Sequence, residues 1–395
     1  MKRFFSYIIL SFFLLLLPTG QASANNNDSI RLSLLTCAPG EEIYSLFGHT
    51  AIRYENPSQG IDVVFNYGLF SFNTPNFIFR FSLGETDYQL GATDYERFAA
   101  EYAFFGRSVW QQTLNLTDEE KTELIRLLQE NYRPENRVYR YNFFYDNCAT
   151  RPRDKIEESI AGKVIYPAEP QDGSLTFRDI VHQYCKGHPW ARFGIDLCIG
   201  SEADQPITQR QMMFAPFYLM DAFDGAQIKS DSIQRPLITA NELVVDATPE
   251  PDESGWMPTP LQCSLLLIIL TTAATINGIR RRTGLWGIDL FLFGIAGIVG
   301  CVLAFLALFS QHPAVSFNFL LLVFHPGQLL FLPYIIYCVR KGKKCWYLTL
   351  NLAVLTLFIV LFPVIPQRFD FAVVPLALVL LIRSASNLIV TSKKK

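Results

Sequence analysis

The sequence is poor in positive charge between residues 25 and 260, where acidic side chains clearly outnumber lysine and arginine. A nucleic-acid partner is excluded for this stretch, because phosphate binding needs clustered basic side chains. The part from Leu261 onward lacks acid instead, since Asp289 and Asp370 are its only carboxylates. The formal net charge of −2 therefore conceals two regions of opposite character.

Metal and cofactor motifs are also missing. No cysteine and histidine spacing is typical of a zinc site, and we expect neither a metal nor an organic cofactor. Polar low-complexity composition is absent as well: half of the residues are apolar, and the mean hydropathy is positive at +0.19. This composition excludes a disordered chain and favours a membrane protein.

The N-terminus has the pattern of a Sec signal peptide. Lys2 and Arg3 precede an apolar run from Ile8 to Leu17, and a small-x-small site ends at Ala24. We predict that residues 1–24 are removed. An uncleaved anchor helix is the alternative, and no cysteine follows the cleavage site to make the protein a lipoprotein itself.

Five apolar spans of about 20 residues follow Leu261, each long enough to cross a bilayer as a helix. Basic clusters follow the first, third and fifth spans, whereas the other two loops have almost no positive charge. The positive-inside rule then places the preceding domain outside the cytoplasmic membrane and the C-terminus in the cytoplasm. The predicted spans are 261–279, 287–310, 317–339, 345–365 and 371–390.

The exported part is predicted to be one α+β domain, because strands and helices do not alternate regularly. His49–Tyr54 and Ile61–Tyr67 flank a turn and predict a β-hairpin. A capping box at Thr117 begins a helix, Arg137–Phe144 predicts a strand, and a further helix begins near Arg151. The predicted organisation is signal peptide 1–24, exported domain 25–245, linker 246–260 and membrane domain 261–395.

Cys148 stands at the predicted start of a helix. Asp146 and Asn147 are favourable N-cap residues, and Pro152 is tolerated only within about the first helical turn. The helix therefore begins close to Cys148, where its dipole, with Arg151 nearby, favours the thiolate. Cys148 is thus a candidate nucleophile.

Outside the cytoplasm an unpaired thiol needs an explanation. A structural disulfide between Cys37 and Cys148 is therefore the alternative to a nucleophilic Cys148. Cys185 and Cys198 lie in a polar stretch and form a second possible disulfide.

A cysteine nucleophile also needs a base, and His49 is the best placed histidine. If Tyr54 pairs with Ile61 across the turn, His49 lies opposite Asn66. Asp62 and Asn66 then share its face, and either is able to orient the imidazole. A histidine buried in the core without a catalytic role is the alternative.

Several segments around these residues resemble the exported-domain signature of the Lnb family, the lipoprotein N-acyltransferases of Bacteroidota. More broadly, the order of histidine, polar residue and Asn-Cys is similar to that of circularly permuted papain-like (NlpC/P60-type) enzymes. The resemblance covers nearly the whole mature chain. The segments are Ser45–Arg53, Asn66–Gly68, Asp146–Arg151, Arg192–Asp196 and Gln211–Pro216.

The resemblance implies a permuted papain-like fold followed by membrane spans, with Cys148 as nucleophile and His49 as base. Related permuted enzymes often carry a second histidine, and here Asp62 or Asn66 takes that place unless the site is a dyad. Arg151 is expected either to bind a lipid phosphate or to form a helix salt bridge. The other expected substrate contacts are Tyr44, Ser45, Tyr67 and the intramembrane His325. For His325 the alternative is a hydrogen bond within the helix bundle.

The implied reaction is acyl transfer from a membrane glycerophospholipid, through a Cys148 thioester, to the N-terminal amine of a diacylglyceryl-cysteine lipoprotein. The partners are therefore the phospholipid, diacylated lipoproteins and the membrane. Two other functions compete: a membrane-anchored cysteine peptidase or amidase acting on cell-wall peptide, and a non-enzymatic assembly factor. Release of lysophospholipid distinguishes the acyltransferase from the cell-wall hydrolase. Reaction with a thiol probe distinguishes either enzyme from the assembly factor.

Overall fold

The structure is a computed structural model that describes residues 30–70, 75–168, 175–230, 234–247 and 256–392. The predicted signal peptide lies outside the described residues, as does most of the predicted linker. Between the last strand of the N-terminal domain, which ends at Val245, and the first membrane helix, which begins at Pro260, the chain supplies only a short connection.

The N-terminal domain is built on a seven-stranded antiparallel sheet with the order β10-β5-β1-β2-β3-β4-β6. Its interior strand β1 is buried along nearly its whole length, because helices cover both faces of the sheet. The strands are β1 Arg31–Cys37, β2 His49–Asn56, β3 Ile61–Leu69, β4 Asp87–Asp94, β5 Val109–Leu114, β6 Val138–Arg140 and β10 Ile238–Val245. A second, three-stranded sheet contains β7 Lys163–Ile165, β8 Gln227–Lys229 and β9 Gln234–Pro236.

The predicted β2–β3 hairpin is confirmed, but its register differs by two residues. Asn56 pairs with Ile61 and Tyr54 with Val63, whereas the prediction paired Tyr54 with Ile61. β2 extends two residues further than expected, and the chain turns through a 3-10 turn that ends at Gly60 with φ 65°. Because the shift is an even number, the same side chains remain on each face.

Helices pack on both faces of the large sheet. On one face the capping-box helix buries Leu124 and Leu128 beside Ile156 of the helix that follows Cys148. On the other face Phe98 and Tyr102 cover the sheet. The helices of this domain are α1 Phe77–Leu83, α2 Tyr95–Phe104, α3 Asp118–Tyr132, α4 Thr150–Ser159, α5 Phe177–Tyr184, α6 Pro189–Cys198, α7 Gln209–Met212 and α8 Pro216–Asp224.

The strand predicted at Arg137–Phe144 is shorter in the structure. Only Val138–Arg140 pairs in the sheet, because the chain then turns back on itself through a bridge between Asn142 and Asp146. This turn leads directly to Cys148.

The C-terminal part is a bundle of apolar helices. Four of them, within the described residues, are long and apolar enough to cross a membrane. They are α9 Pro260–Arg280, α10 Trp286–Phe309, α13 Trp346–Leu361 with a 3-10 turn to Val364, and α14 Val373–Ser392.

The prediction that the third span is one continuous helix is wrong. The segment contains a 3-10 turn at Phe319–Leu322, then α11 Pro326–Leu330 and α12 Leu332–Lys341. Pro326 and Pro333 lack the N–H that a continuous helix requires at those positions, so each stands in the first turn of a new helix.

This broken segment nevertheless extends from one end of the bundle to the other. Before its start, the carbonyl of Ala314 accepts a 2.7 Å hydrogen bond from Gly200 N–H in the N-terminal domain. At its end, Val339 packs against Gly284 in the loop between α9 and α10. Its non-helical residues Val323 and Phe324 are buried, as irregular backbone at membrane depth must be.

The two domains contact each other through the loops at one end of the bundle. Gln311 N–H, after α10, donates to the carbonyl of Leu83 at 2.9 Å. Gln367, between α13 and α14, donates to the carbonyl of Ile199 at 3.2 Å. Arg368 beside it binds Asp179 at 2.6 Å. The N-terminal domain therefore rests on the ends of the helices.

Candidate active site

Cys148 lies in the turn immediately before α4, two residues ahead of Thr150 and therefore beside the helix start, as the sequence predicts. Asn147 caps this turn: its Oδ1 accepts hydrogen bonds from Ala149 N–H at 2.8 Å and Thr150 N–H at 2.9 Å. Its side-chain amide donates to the carbonyls of Phe143 and Phe214, both at 2.8 Å. Asn147 thus joins the turn before α4 to the loop before α8, and this fixes the position of the thiol.

His49 begins β2, and its ring is bound by the next strand. Nε2 lies 2.5 Å from Oδ1 of Asn66 on β3. With the amide oxygen facing the ring, Nε2 carries the imidazole proton and Nδ1 keeps its lone pair. Asn66 therefore orients His49 in the tautomer that leaves one nitrogen free to accept a proton.

Gly68 brings the thiol and the imidazole together. A Cβ on this residue would lie 3.4 Å from Cys148 Cβ and 4.0 Å from His49 Cε1. Its φ of +87° and the irregular pairing after Asn66 bend β3 at this point. The positive φ is the reason why glycine is favoured here, since a Cβ at these distances would make ordinary van der Waals contacts with the two groups.

The sulfur of Cys148 lies beside backbone donors. The N–H groups of Thr50 and of Cys148 itself are within hydrogen-bonding reach of it. Thr50 follows His49 on β2, so the same strand contributes the candidate base and a donor to the sulfur.

Burial keeps both groups neutral in the resting protein. It raises the pKa of the Cys148 thiol to about 11, although the backbone hydrogen bonds act in the opposite direction. Burial also lowers the pKa of His49 to about 4; the Asn66 hydrogen bond opposes this shift and the charge of Arg107 adds to it. The expected thiolate at the helix start is therefore not the resting form, because desolvation outweighs the helix dipole.

Asp62 does not contact His49 in the structure. Its carboxylate forms a bidentate ion pair with Arg53, with distances of 2.8 and 2.7 Å. The strand extension described above moves Asp62 opposite Glu55, toward the far end of β2. Of the two candidates for the orienting residue, the structure brings only Asn66 to the ring.

The predicted substrate contacts are dispersed. Arg151 is held by Asp146 at 2.6 and 2.7 Å and lies over the Tyr139 ring, as the salt-bridge alternative describes. Tyr67 is fully buried, and its hydroxyl donates to Asn131. Ser45 is also buried and donates to the carbonyl of Glu42 at 2.9 Å, whereas its neighbour Tyr44 is 60% exposed.

His325 lies in the membrane domain, at the break before α11. It contacts Asn351 at 3.3 Å and Tyr347 at 3.5 Å, both in the same domain. His325 thus forms a hydrogen bond within the helix bundle, which was the alternative to a substrate contact. Its partners are residues of the membrane domain and not residues around Cys148.

None of the cysteines is paired in the structure. Cys37 is buried beside Tyr102, and burial raises the pKa of its thiol to about 12. Cys185 and Cys198 are both free thiols as well. Neither of the two possible disulfides forms. Among the described residues no three histidine, cysteine or carboxylate side chains are grouped to hold a metal ion.

Two further residues near the site were not found from the sequence. The hydroxyl of Tyr139 is buried, has no hydrogen-bond partner among the described residues, and lies 3.9 Å from the position of a Gly68 Cβ. Arg107 is close enough to His49 to lower its pKa, donates to the carbonyl of Ala38, and has no carboxylate within ion-pair distance among the described residues. No sequence motif marks either residue, because both come to the site through folding alone.

The fold and the site define an exported domain with a thiol and an imidazole, joined to a bundle of membrane helices. Two family models match the chain: the Lnb N-terminal periplasmic domain over residues 20–182 and the Lnb transmembrane domain over residues 252–395. The chain therefore belongs to the Lnb family, a family of lipoprotein N-acyltransferases, and its N-terminal domain is periplasmic. No curated protein and no solved structure matches it. The permuted papain-like fold stays a prediction.

Proposed function

We propose that this protein moves an acyl chain from a membrane glycerophospholipid to the α-amine of a diacylglyceryl-modified N-terminal cysteine, through a thioester on Cys148. The observation that carries the proposal is that Cys148 and His49 both lie within 4.0 Å of the position of a Gly68 Cβ. The same end of the domain rests on the membrane helices. Membership of the Lnb family supports the class of reaction.

The reaction proceeds in two half-reactions. His49 accepts the thiol proton as the sulfur attacks the ester carbonyl of the phospholipid. The tetrahedral intermediate collapses, the C–O bond breaks, and the lysophospholipid leaves with that proton. The lipoprotein amine then attacks the thioester and loses a proton through His49, and the free thiol is restored with an amide as product. Ping-pong kinetics follow from this order.

The oxyanion of each tetrahedral intermediate needs hydrogen-bond donors. We assign this role to the Cys148 backbone N–H and to the hydroxyl of Tyr139. Burial raises the pKa of Tyr139 far above neutral, so its hydroxyl stays protonated and able to donate. An unpartnered buried donor beside the nucleophile is suited to bind charge that appears only during the reaction.

Arg107 is the candidate for binding the lipid phosphate. Its guanidinium lies over the Tyr102 ring near the ends of β1 and β5 and has no carboxylate partner within the described part of the chain. Arg151, by contrast, is already neutralised by Asp146. A guanidinium without a counter-charge gains more from a phosphate than a paired one does.

The proposed orientation places the C-terminus in the cytoplasm. The helix ends that contact the periplasmic domain are those next to Gln311 and Gln367. The basic clusters at Arg280–Arg282 and Arg340–Lys344 stand at the opposite helix ends, as the positive-inside rule requires.

Mass spectrometry of lipoprotein N-terminal peptides tests the function. A strain lacking this protein is complemented with the wild type, Cys148→Ala, His49→Ala or Cys185→Ala. The last is a matched control, because Cys185 is a buried thiol packed in a different part of the core. We expect the wild type and Cys185→Ala to add one amide-linked acyl chain and the other two variants to add none.

Purified protein distinguishes the acyltransferase from a hydrolase. With phospholipid and a diacylated lipopeptide, the proposal predicts one lysophospholipid released for each amide formed. Release of free fatty acid without amide would indicate a lipid hydrolase. Cleavage of cell-wall peptide without lysophospholipid would replace the proposal with the cell-wall enzyme.

A further inference from the structure

The short helix α1 has an apolar face that the protein covers only in part. Ile78, Phe79 and Phe81 are 78%, 57% and 45% exposed. Its one arginine, Arg80, is turned back toward the domain, where it binds Asp87 at 2.8 Å and the carbonyl of Glu85 at 3.0 Å. The one charged group of this helix is thus bound to the domain, whereas three large apolar side chains are left exposed.

Contacts with α10 determine how deep this helix lies. The ring centroid of Phe79 lies 5.7 Å from that of Phe305, one turn before the end of α10 at Phe309. The helix has 24 residues, so its length of about 36 Å exceeds a hydrocarbon core of about 30 Å by only a few ångströms. Phe79 therefore stands at the level of the outer hydrocarbon boundary, beside the exposed Leu308 and Phe309 of α10.

A row of aromatic rings connects this helix with the thiol. Tyr139 is 6.5 Å from Tyr141, which stacks on Tyr88 at 4.1 Å. Tyr88 contacts Phe70 at 5.0 Å, and Phe70 stacks on Phe77 of α1 at 5.5 Å. Cys148 packs against the same apolar cluster as Tyr88, Tyr139 and Phe70.

We propose that α1 lies in the outer leaflet as an interfacial helix, and that the aromatic row leads one phospholipid acyl chain from the leaflet to Cys148. Large apolar side chains at the hydrocarbon boundary are stabilised by lipid, and their exposure to water is costly. The row runs from the partly buried Phe70 and Phe77 to Tyr88 and Tyr139, which are each 7% exposed, so a chain that follows it passes from the surface of the domain into its apolar core. The second part of the proposal rests on the proposed function, whereas the first does not.

Photo-crosslinking in the full-length protein tests the membrane contact. The variant Ile78→p-benzoylphenylalanine is placed in phospholipid nanodiscs and irradiated, and lipid adducts are counted by mass spectrometry. The matched control is Ile165→p-benzoylphenylalanine, because Ile165 is also exposed but lies on β7, which follows the end of α4 away from Cys148. We expect at least about 10-fold more lipid adduct at residue 78 than at residue 165.

Both variants are also made in a Cys148→Ala background, which removes the proposed chemistry. Adducts at residue 78 that persist there show the membrane contact even if the acyl-transfer activity is not found. Equal labelling at the two positions, or none at residue 78, overturns the interfacial helix.

The acyl path is tested with phospholipids that carry a diazirine at either end of the acyl chain. A diazirine near the carboxyl end is expected to label Tyr88 or Tyr141, and one near the methyl end to label α1. If both probes label the same residues, the proposed acyl path is wrong. This result does not bear on the interfacial helix, which the first experiment tests.

Discussion

Gly68 illustrates how single residues shape this site. A Cβ there would contact both Cys148 and His49, and the positive φ of this residue favours glycine. The neighbouring Asn66 contributes the only side chain that the structure places in hydrogen-bond contact with the His49 ring, within its described part. Three of the groups that define the site thus come from two adjacent strands.

The pH dependence of the reaction should reflect the depressed pKa of His49. The neutral imidazole is the base, and a pKa of about 4 keeps it neutral down to weakly acidic pH. We expect kcat/KM to be constant between about pH 5.5 and 8 and to fall only below that range.

The variant Asn66→Asp provides the comparison for this pH profile. A carboxylate next to the ring stabilises the protonated imidazole, so the fall in kcat/KM should move to higher pH. An unchanged acidic limb in this variant, or a wild-type limb near pH 6.5, would contradict the role given to His49.

Tyr139→Phe separates catalysis from stability. Its hydroxyl has no hydrogen-bond partner in the part of the chain that the structure describes, so removing it should leave the thermal unfolding midpoint unchanged or slightly raised. Loss of one oxyanion donor should reduce kcat on the order of 10²-fold with little change in KM. A loss of stability with full activity would instead show a structural hydroxyl.

Arg107→Gln tests phosphate recognition. A charge-assisted hydrogen bond contributes about 1.5–3 kcal/mol, so KM for phospholipid should rise on the order of 10-fold or more. Arg151→Gln is the matched control, because Arg151 already has a carboxylate partner. A larger KM effect in the control than in Arg107→Gln would reverse the assignment.

At the scale of the elements, the start of α4 determines where the nucleophile stands. The limit set by Pro152 located this helix start to within two residues, because it acts over the first turn only. The residue at the N-cap position is Ala149, whereas the predicted Asn147 caps the turn before it. The prediction that the third membrane span is a single helix was wrong, although the length and hydropathy of this segment are typical of one. Pro326 and Pro333 are tolerated there because neighbouring helices bury the interrupted backbone.

Asn147→Ala should weaken this helix start and displace Cys148. The change removes two accepted and two donated hydrogen bonds, and it leaves the carbonyls of Phe143 and Phe214 without these donors. We expect a destabilisation of about 2–3 kcal/mol, measured by thermal or chemical unfolding of the full-length protein in detergent. Asn147→Asp keeps the cap but not the donated bonds, and a wild-type stability in that variant would show that the cap alone matters.

At the scale of the whole molecule, the docking of the two domains sets the height of the site above the membrane. Arg368 in the membrane domain binds Thr176, Asp179 and Asp204 of the periplasmic domain. Its side chain is half exposed, so each ion pair is screened by solvent and the group acts mainly as a network.

Arg368→Ala should loosen this docking without unfolding either domain. We expect faster hydrogen exchange in residues 176–182 and 199–204, and a several-fold loss of acyl transfer in nanodiscs. Arg210→Ala is the control, because Arg210 has the same type of ion pairs with Asp154 and Glu157 within one domain. Equal effects of both substitutions would show that docking is not limiting.

Local sequence signals determined the two-part organisation, the β2–β3 hairpin, the helix starts at Thr117 and near Cys148, and the pair of candidate catalytic residues. Each depends on periodicity, capping or turn chemistry within a short window, or on the uneven distribution of charge. Only the tertiary structure decided the hairpin register, the choice of Asn66 over Asp62, and the approach of Gly68, Tyr139 and Arg107 to the site. These features depend on contacts between residues far apart in the chain, and on burial, which reverses the thiolate preference expected from the helix dipole.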